Sequence, residues 1–314
     1  MVNFYSPSDS NKKNNFTKKS LLKMIEIWNL SNNSKITVKS NYSDALLYKL
    51  LNNKLKKICG ANKYWLWCGV LDRIIVRENI PNLMRYRRLL KAIDKKELRP
   101  EKPELWYKNP KTWLSNYDIQ NVMNQYSDVK KYNYKFLGVF PIDFAVKNSS
   151  GHCLYNSQCN INIANYMRKK IHFIGFITNL DKHDESGSHW TSTFVVINPK
   201  LETYGAYYYD SVGSRIPVYV MNYLNDIKAQ CNKINPNKPF NIIYNNKQFQ
   251  YKNTECGVFS MLFQIRWINK HIVKKNNTSF TEIVEGNRNI TDDVMVQIRD
   301  SLFRPNTKME LKKI

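Results

Sequence analysis

Four residues far apart in the chain have the types and settings that nucleophilic thiol chemistry needs: Cys256, His189, Asp210 and Gln250. Cys256 follows the polar stretch YKNTE and opens the apolar run GVFSMLF, which predicts a thiol at the first turn of a helix. There the positive end of the helix dipole and the backbone N–H groups favour a thiolate. A base must take the thiol proton. Of the histidines at 152, 172, 183, 189 and 271, His189 has the most suitable setting, between the turn ESGS and the strand WTSTFVVIN. His172 opens an apolar strand as a packed ring, His183 lies in the polar loop DKHDES as a solvated one, and His271 ends the helix after Cys256. Asp210 ends the next strand, YGAYYYDS. A reversal near Pro199 brings it beside His189, where a carboxylate orients the imidazole and stabilises its cation. Gln250, six residues before Cys256, offers a side-chain amide that can join the Cys256 N–H around a developing oxyanion, with Gln248 as its competitor. Taken singly, a buried spectator thiol, a packed imidazole and an ordinary Asp-Ser turn are plain alternatives. The ordered set argues for chemistry, because four distinct roles are filled at compatible positions.

The elements that must carry these side chains form an α+β pattern. KFLGVFPIDF, HFIGFITNL, WTSTFVVINP, YGAYYYDS and FNIIYN are short β-branched and aromatic runs bounded by Gly, Pro, Asn or Asp, and they read as strands. IPVYVMNYLNDIKAQCNKI, the run after Cys256 and a segment from about Asn116 read as helices; Thr291 caps DDVMVQIRDSLF, and Pro305 ends it. Earlier, residues 1–20 read as a flexible basic tail and residues 21–104 as a helical module. In that module Leu21, Met24, Ile25 and Trp28 share one face, Ser43 caps DALLYKLLNNKLKKI, and Pro81 opens NLMRYRRLLKAI. DKKELRPEKPEL, with two prolines and alternating charge, predicts a linker, and the second domain takes residues 105–314.

Composition narrows the setting. The 314 residues carry 49 Lys and Arg against 25 Asp and Glu, a formal charge of +24 that attracts polyanions, nucleic acid above all, or else follows from an Asn/Lys/Ile-rich coding bias. Six scattered cysteines and no signal peptide predict reduced thiols in a cytosolic compartment. No apolar run reaches the roughly 18 residues that a membrane span needs, so a soluble chain is expected. HCLYNSQC lacks a second pair at metal-ligand spacing and reads as small buried thiols, so no metal and no cofactor is expected. The aromatic YWLWCG reads as core of the helical module, and the basic YRRLLKAIDKK as a solvated helix face.

The ordered set His189-Trp190, Asp210, Gln250 and TECG at 254–257 resembles the cysteine proteases that process ubiquitin-like proteins, a group that includes the SUMO proteases and the adenovirus maturation proteinase. TWLSNYDIQNVMN resembles the helix that opens that catalytic domain. The TECG segment and NITDDVMVQIRDSLFRP resemble the African swine fever virus type of maturation protease found in giant DNA viruses. The resemblance covers about residues 105–305, and the first hundred residues are only loosely similar to the arm domain of that viral type. It implies a papain-like thiol endopeptidase acting after Gly-Gly-type sites, with Trp113 and Trp190 flanking a channel that admits only a backbone without side chains. A core role for either tryptophan is the alternative. The family's opening helix often carries an acid three residues after its tryptophan; here that place is Asn116. The resemblance further implies viral polyprotein or core-protein substrates, a virion or viral-factory location in the host cytoplasm, and DNA as a partner of the basic surface. Two other functions share these residues: a SUMO or ubiquitin-like deconjugating protease, and a basic virion DNA-binding protein with a vestigial site.

Overall fold

The computed structural model describes residues 7, 16–58, 80–155, 157–286, 290–306 and 309. The stretch YWLWCG, Cys59, Cys68 and most of the N-terminal tail lie outside them. The chain divides into two compact units, one of residues 1–110 with 300–314, the other of residues 111–299.

The first unit is helical. Helix α1 (Lys18–Ser31) starts inside the segment read as a tail, because Thr17 Oγ1 accepts from the Ser20 N–H and Phe16 is buried. The reading of residues 1–20 as a flexible tail therefore fails for Phe16 to Ser20. Ser43 caps α2 (Asp44–Ile58) as its spacing predicts, its Oγ accepting from the Leu46 N–H at 3.3 Å. Helix α3 (Leu83–Glu97) begins two residues after Pro81; Asn82, in the left-handed conformation, is its N-cap. Leu21, Met24, Ile25 and Trp28 close on Leu47, Leu51, Leu55, Leu90 and Ile93. The buried Glu97 takes hydrogen bonds from the Thr17 N–H (2.8 Å) and Ser20 Oγ (2.5 Å) and so ties the start of α1 to the end of α3.

The predicted linker is not one. Its first residues finish α3, and Arg304 clasps the rest, pairing at 2.6 Å with both Asp94 and Glu101. Lys102 N–H donates to the Arg304 carbonyl at 2.8 Å, and Trp106, in the short α4 (Leu105–Lys108), meets Phe303 edge-on at 4.9 Å. Residues read as the second domain, 105–110 and 300–314, thus belong to the first unit. The prolines and charges that signal a linker also suit an edge fastened by a single arginine.

The second unit is a five-stranded sheet in chain order, β1 (Tyr134–Phe140), β2 (Phe173–Asn179), β3 (Trp190–Val196), β4 (Gly205–Tyr209) and β5 (Asn241–Tyr244). Pairing is parallel, antiparallel, antiparallel and parallel. All five strands fall on the predicted runs. The central strands are covered on both faces and are buried almost without interruption; the polar Thr178, Thr191 and Ser192 among them are paired by hydrogen bonds. One face packs on α6 (Ile163–Arg168) and α7 (Val218–Ile234), around Phe176, Tyr208, Tyr223 and Leu224. The other packs on α8 (Cys256–Trp267), where Phe194 stacks on Trp267 at 5.0 Å and Tyr209 on Phe263 at 5.0 Å. Helix α5 (Asn116–Ser127) starts where the sequence reading puts it, with a capping box of Ser115 and Asp118. Helix α9 (Phe280–Glu285), capped by Ser279 and Glu282, has no counterpart in that reading, and α10 (Asp292–Leu302) takes its predicted cap, Thr291 Oγ1 accepting from the Val294 N–H.

Candidate active site

Helix α8 is apolar nearly all round and is buried against the sheet for that reason. Its one buried amide, Gln264, is satisfied by Ser192 Oγ, the Thr193 carbonyl and the Tyr134 hydroxyl. One turn into the helix, Ser260 Oγ donates to the Trp190 carbonyl at 3.0 Å and locks α8 to the first residue of β3. Cys256 at the helix start and His189 just before β3 are therefore held together by the core.

His189 bridges the set. Its ring Nε2 meets Asp210 Oδ1 at 2.7 Å, and the Cys256 thiol is near enough to act on its basicity. With Nε2 turned to the carboxylate, Nδ1 is the atom left for sulfur. Burial alone would lower the basicity of this imidazole. The bond to Asp210, the nearby Cys256 and their negative charges outweigh it and push the pKa up to about 9. The register Ser192↔Tyr209 sets Asp210 beside the start of β3, as the hairpin reading requires.

Asp210 is fully buried and held on three sides: its N–H donates to Asn245 Oδ1, its carbonyl accepts from Asn245 Nδ2, both at 2.8 Å, and Oδ1 also accepts the Val212 N–H at 3.0 Å. The next residue, Ser211, fixes Gln250. The Ser211 carbonyl accepts the Gln250 N–H at 2.9 Å, and Ser211 Oγ donates to Gln250 Oε1 at 2.6 Å. With its oxygen so anchored, the amide must present nitrogen on the other side. Nε2 spends one hydrogen on the Lys252 carbonyl, which leaves a second to donate. Gln248, the competitor, points its amide at the Gln250 carbonyl. Asn245 and Ser211 escaped the sequence reading; each is a small polar residue just past a strand end, a signal common to most turns.

Trp113 and Trp190 line one cleft of about 430 Å³, with Phe140, Tyr155 and the polar turn Asp181–Gly187. Trp113 is 46% exposed and so is no core residue; Trp190 anchors its indole N–H on the Leu114 carbonyl at 3.0 Å. His183 is exposed, as read, and pairs with the buried Asp143 at 2.7 Å, a hydrogen bond that raises its pKa. His271, read as ending the helix after Cys256, lies in the π-helical turn Ile268–Val273 that follows it; it stacks on Trp267, and burial lowers its pKa. The expected reduced thiols need correction too. Cys153 and Cys159 form a disulfide whose Cα atoms lie 5.6 Å apart, and Cys231 and Cys256 are the free thiols among the described residues. Cys159 sits in the 3-10 turn Ser157–Asn160, and its approach to Cys153 is a property of the folded loop that spacing alone does not reveal.

No family model matches the chain. It is 33% identical over 201 residues to a protein of Acanthamoeba polyphaga mimivirus that bears the name "putative thiol protease"; the match takes in 62% of this chain and 60% of the length of that relative. Two crystal structures of the African swine fever virus protease superpose with TM-scores of 0.60 and 0.62, at 17% and 18% identity, over 97% of this chain and 96% and 97% of theirs. The chain has the α+β fold of that viral protease.

Proposed function

We propose that the chain, built on the fold of a viral cysteine protease, is a thiol endopeptidase. The observation that carries this reading is the His189 ring seated between the Asp210 carboxylate and the Cys256 thiol. Cys256 Sγ attacks the scissile carbonyl, and the proton it gave to His189 passes to the leaving amine. Water then hydrolyses the thioester, with His189 as base. The Gln250 amide and the Cys256 N–H face the oxyanion. No side chain caps α8, so its first N–H groups remain for this charge.

The nucleophile is only 3% exposed; the cleft walled by Trp113 and Trp190 is lined by none of the four candidate residues, but Trp190 follows His189 directly. Aromatic walls such as these favour a substrate backbone without side chains, and we assign specificity for Gly-Gly-type sites. The substrates are viral polyproteins or core proteins cut during maturation, which places the enzyme in the virion and the viral factory. The +24 charge suits substrate packed with DNA.

The test is incubation of wild type and Cys256→Ala with purified core polyproteins and, in parallel, with SUMO and ubiquitin conjugates. Fragments are read by N-terminal mass spectrometry. New N-termini after Gly-Gly in the polyprotein, absent with Cys256→Ala, are expected. Cleavage of conjugates alone would transfer the site to deconjugation, and cleavage of neither would leave the protease reading without support.

A further inference from the structure

The residue before the nucleophile is an acid buried with it. Glu255 is 1% exposed and its Oε1 lies 3.1 Å from Nη1 of Arg299, itself 2% exposed. Glu255 occupies the N-cap position of α8, yet its side chain makes no cap; it turns to Arg299 instead. The other guanidinium arm, Nη2, donates to the carbonyl of Thr112, the residue before Trp113. Seven residues earlier on α10, hence on the same helix face, Asp292 Oδ2 accepts the Tyr251 N–H at 2.9 Å. Helix α10 thus grips the Gln250–Cys256 loop at two points and the start of the cleft wall at a third.

A buried ion pair is poor stabilisation compared with apolar packing, so its presence beside the sulfur asks for another role. A carboxylate at an N-cap would compete with a thiolate for the same N–H groups and dipole, and would repel it. The charged groups facing this corner are His189 and Asp210 from the sheet, Glu255 at the entry to α8, and Arg299 and Asp292 from α10. Burial pushes the Glu255 carboxyl up, and the Arg299 guanidinium 3.1 Å away works against that rise.

We propose that Arg299 and Glu255 are positioning residues for the thiol chemistry: Arg299 holds the Glu255 carboxylate off the start of α8, cancels its charge beside Cys256, and fixes that turn against the Trp113 wall. This rests on the protease reading and adds to it two residues that touch no substrate. It makes an ordered electrostatic prediction. Glu255→Gln leaves an uncancelled cation near sulfur and moves the acidic limb of thiolate formation to lower pH. Arg299→Met leaves an uncancelled anion and moves it to higher pH, each by about one unit. The double variant returns it close to wild type.

The experiment measures the rate of Cys256 alkylation by iodoacetamide against pH, with the modified peptide identified by mass spectrometry, alongside kcat/KM on a Gly-Gly peptide. Arg299→Met should also lose about tenfold or more in kcat/KM. Opposite shifts in the two single variants support the assignment, and limbs that stay put in both overturn it. If Arg299→Met does not fold, Glu255→Gln decides by itself, since a merely structural acid gives no downward shift. Shifted alkylation limbs with no peptide cut by wild type would keep the electrostatic assignment and defeat the protease reading. Cleavage by wild type with an unmoved Glu255→Gln limb would do the reverse.

Discussion

At the scale of single residues, the imidazole of His189 carries the most consequence. Its folded-state pKa, near 9, stands above the ordinary 6.5, so the group binds a proton more tightly when folded. The stability it contributes is complete below about pH 6.5 and is lost as pH rises through about 9. In the proposed mechanism the same cation is the acid that serves the leaving amine. The basic limb of kcat/KM should therefore fall near pH 9 in wild type, and Asp210→Asn should bring it down toward the ordinary histidine range. A pH–rate profile of both proteins checks this, and a limb unmoved by the substitution would remove Asp210 from its role. Gln250→Ala should lower kcat about 10²-fold or more with KM little changed, because the amide serves the oxyanion rather than the bound ground state. Single-turnover kinetics on a Gly-Gly peptide would separate the two effects.

At the scale of elements, the site is the meeting of α8 with the edge of β3 and the segment before α5. Gly257 is where the approach is closest. A Cβ there would lie 2.9 Å from Leu114 Cδ1 and 3.3 Å from Ile119 Cδ1. Leu114 is the residue on whose carbonyl Trp190 hangs its indole, and it follows Trp113 directly. Gly257→Ala should then cost about 1–3 kcal/mol of stability and widen the cleft wall. Thermal unfolding should show the first and a raised KM the second; an unchanged KM in a destabilised variant would show that the wall does not gauge the substrate. Strand ends supply the remaining order: Asn245 after β5 and Ser211 after β4 form a polar chain that holds Asp210 and Gln250 at once.

At the scale of the whole molecule, the excess of cations is the dominant fact outside the site. If it concentrates the enzyme on packaged DNA, cleavage of a DNA-bound substrate should slow steeply as salt rises from about 50 to 200 mM, while cleavage of a free peptide changes little. Rates that respond alike in both cases would mean that the charge serves only solubility. No helix among the described residues is long and apolar enough to cross a membrane.

Local pattern was enough to specify the strands, the helices capped by Ser43 and Thr291, and the choice of Cys256, His189, Asp210 and Gln250 as candidates. Runs of β-branched and aromatic residues between turn residues, cap residues and a thiol at the head of an apolar helix are all properties of short segments. Nearest-neighbour sequence could also order the hairpin that pairs Asp210 with His189. Three features needed the folded chain: the return of residues 300–314 to the first unit, the Cys153–Cys159 bond, and the pairing of Glu255 with Arg299. Each depends on which side chains are driven out of water together. An arginine and a glutamate 44 positions apart look like two solvated charges until a helix packs one against the other. A pair of cysteines looks like two thiols until a turn faces them. Burial and proximity are properties of the packed chain, and these three features depend on both.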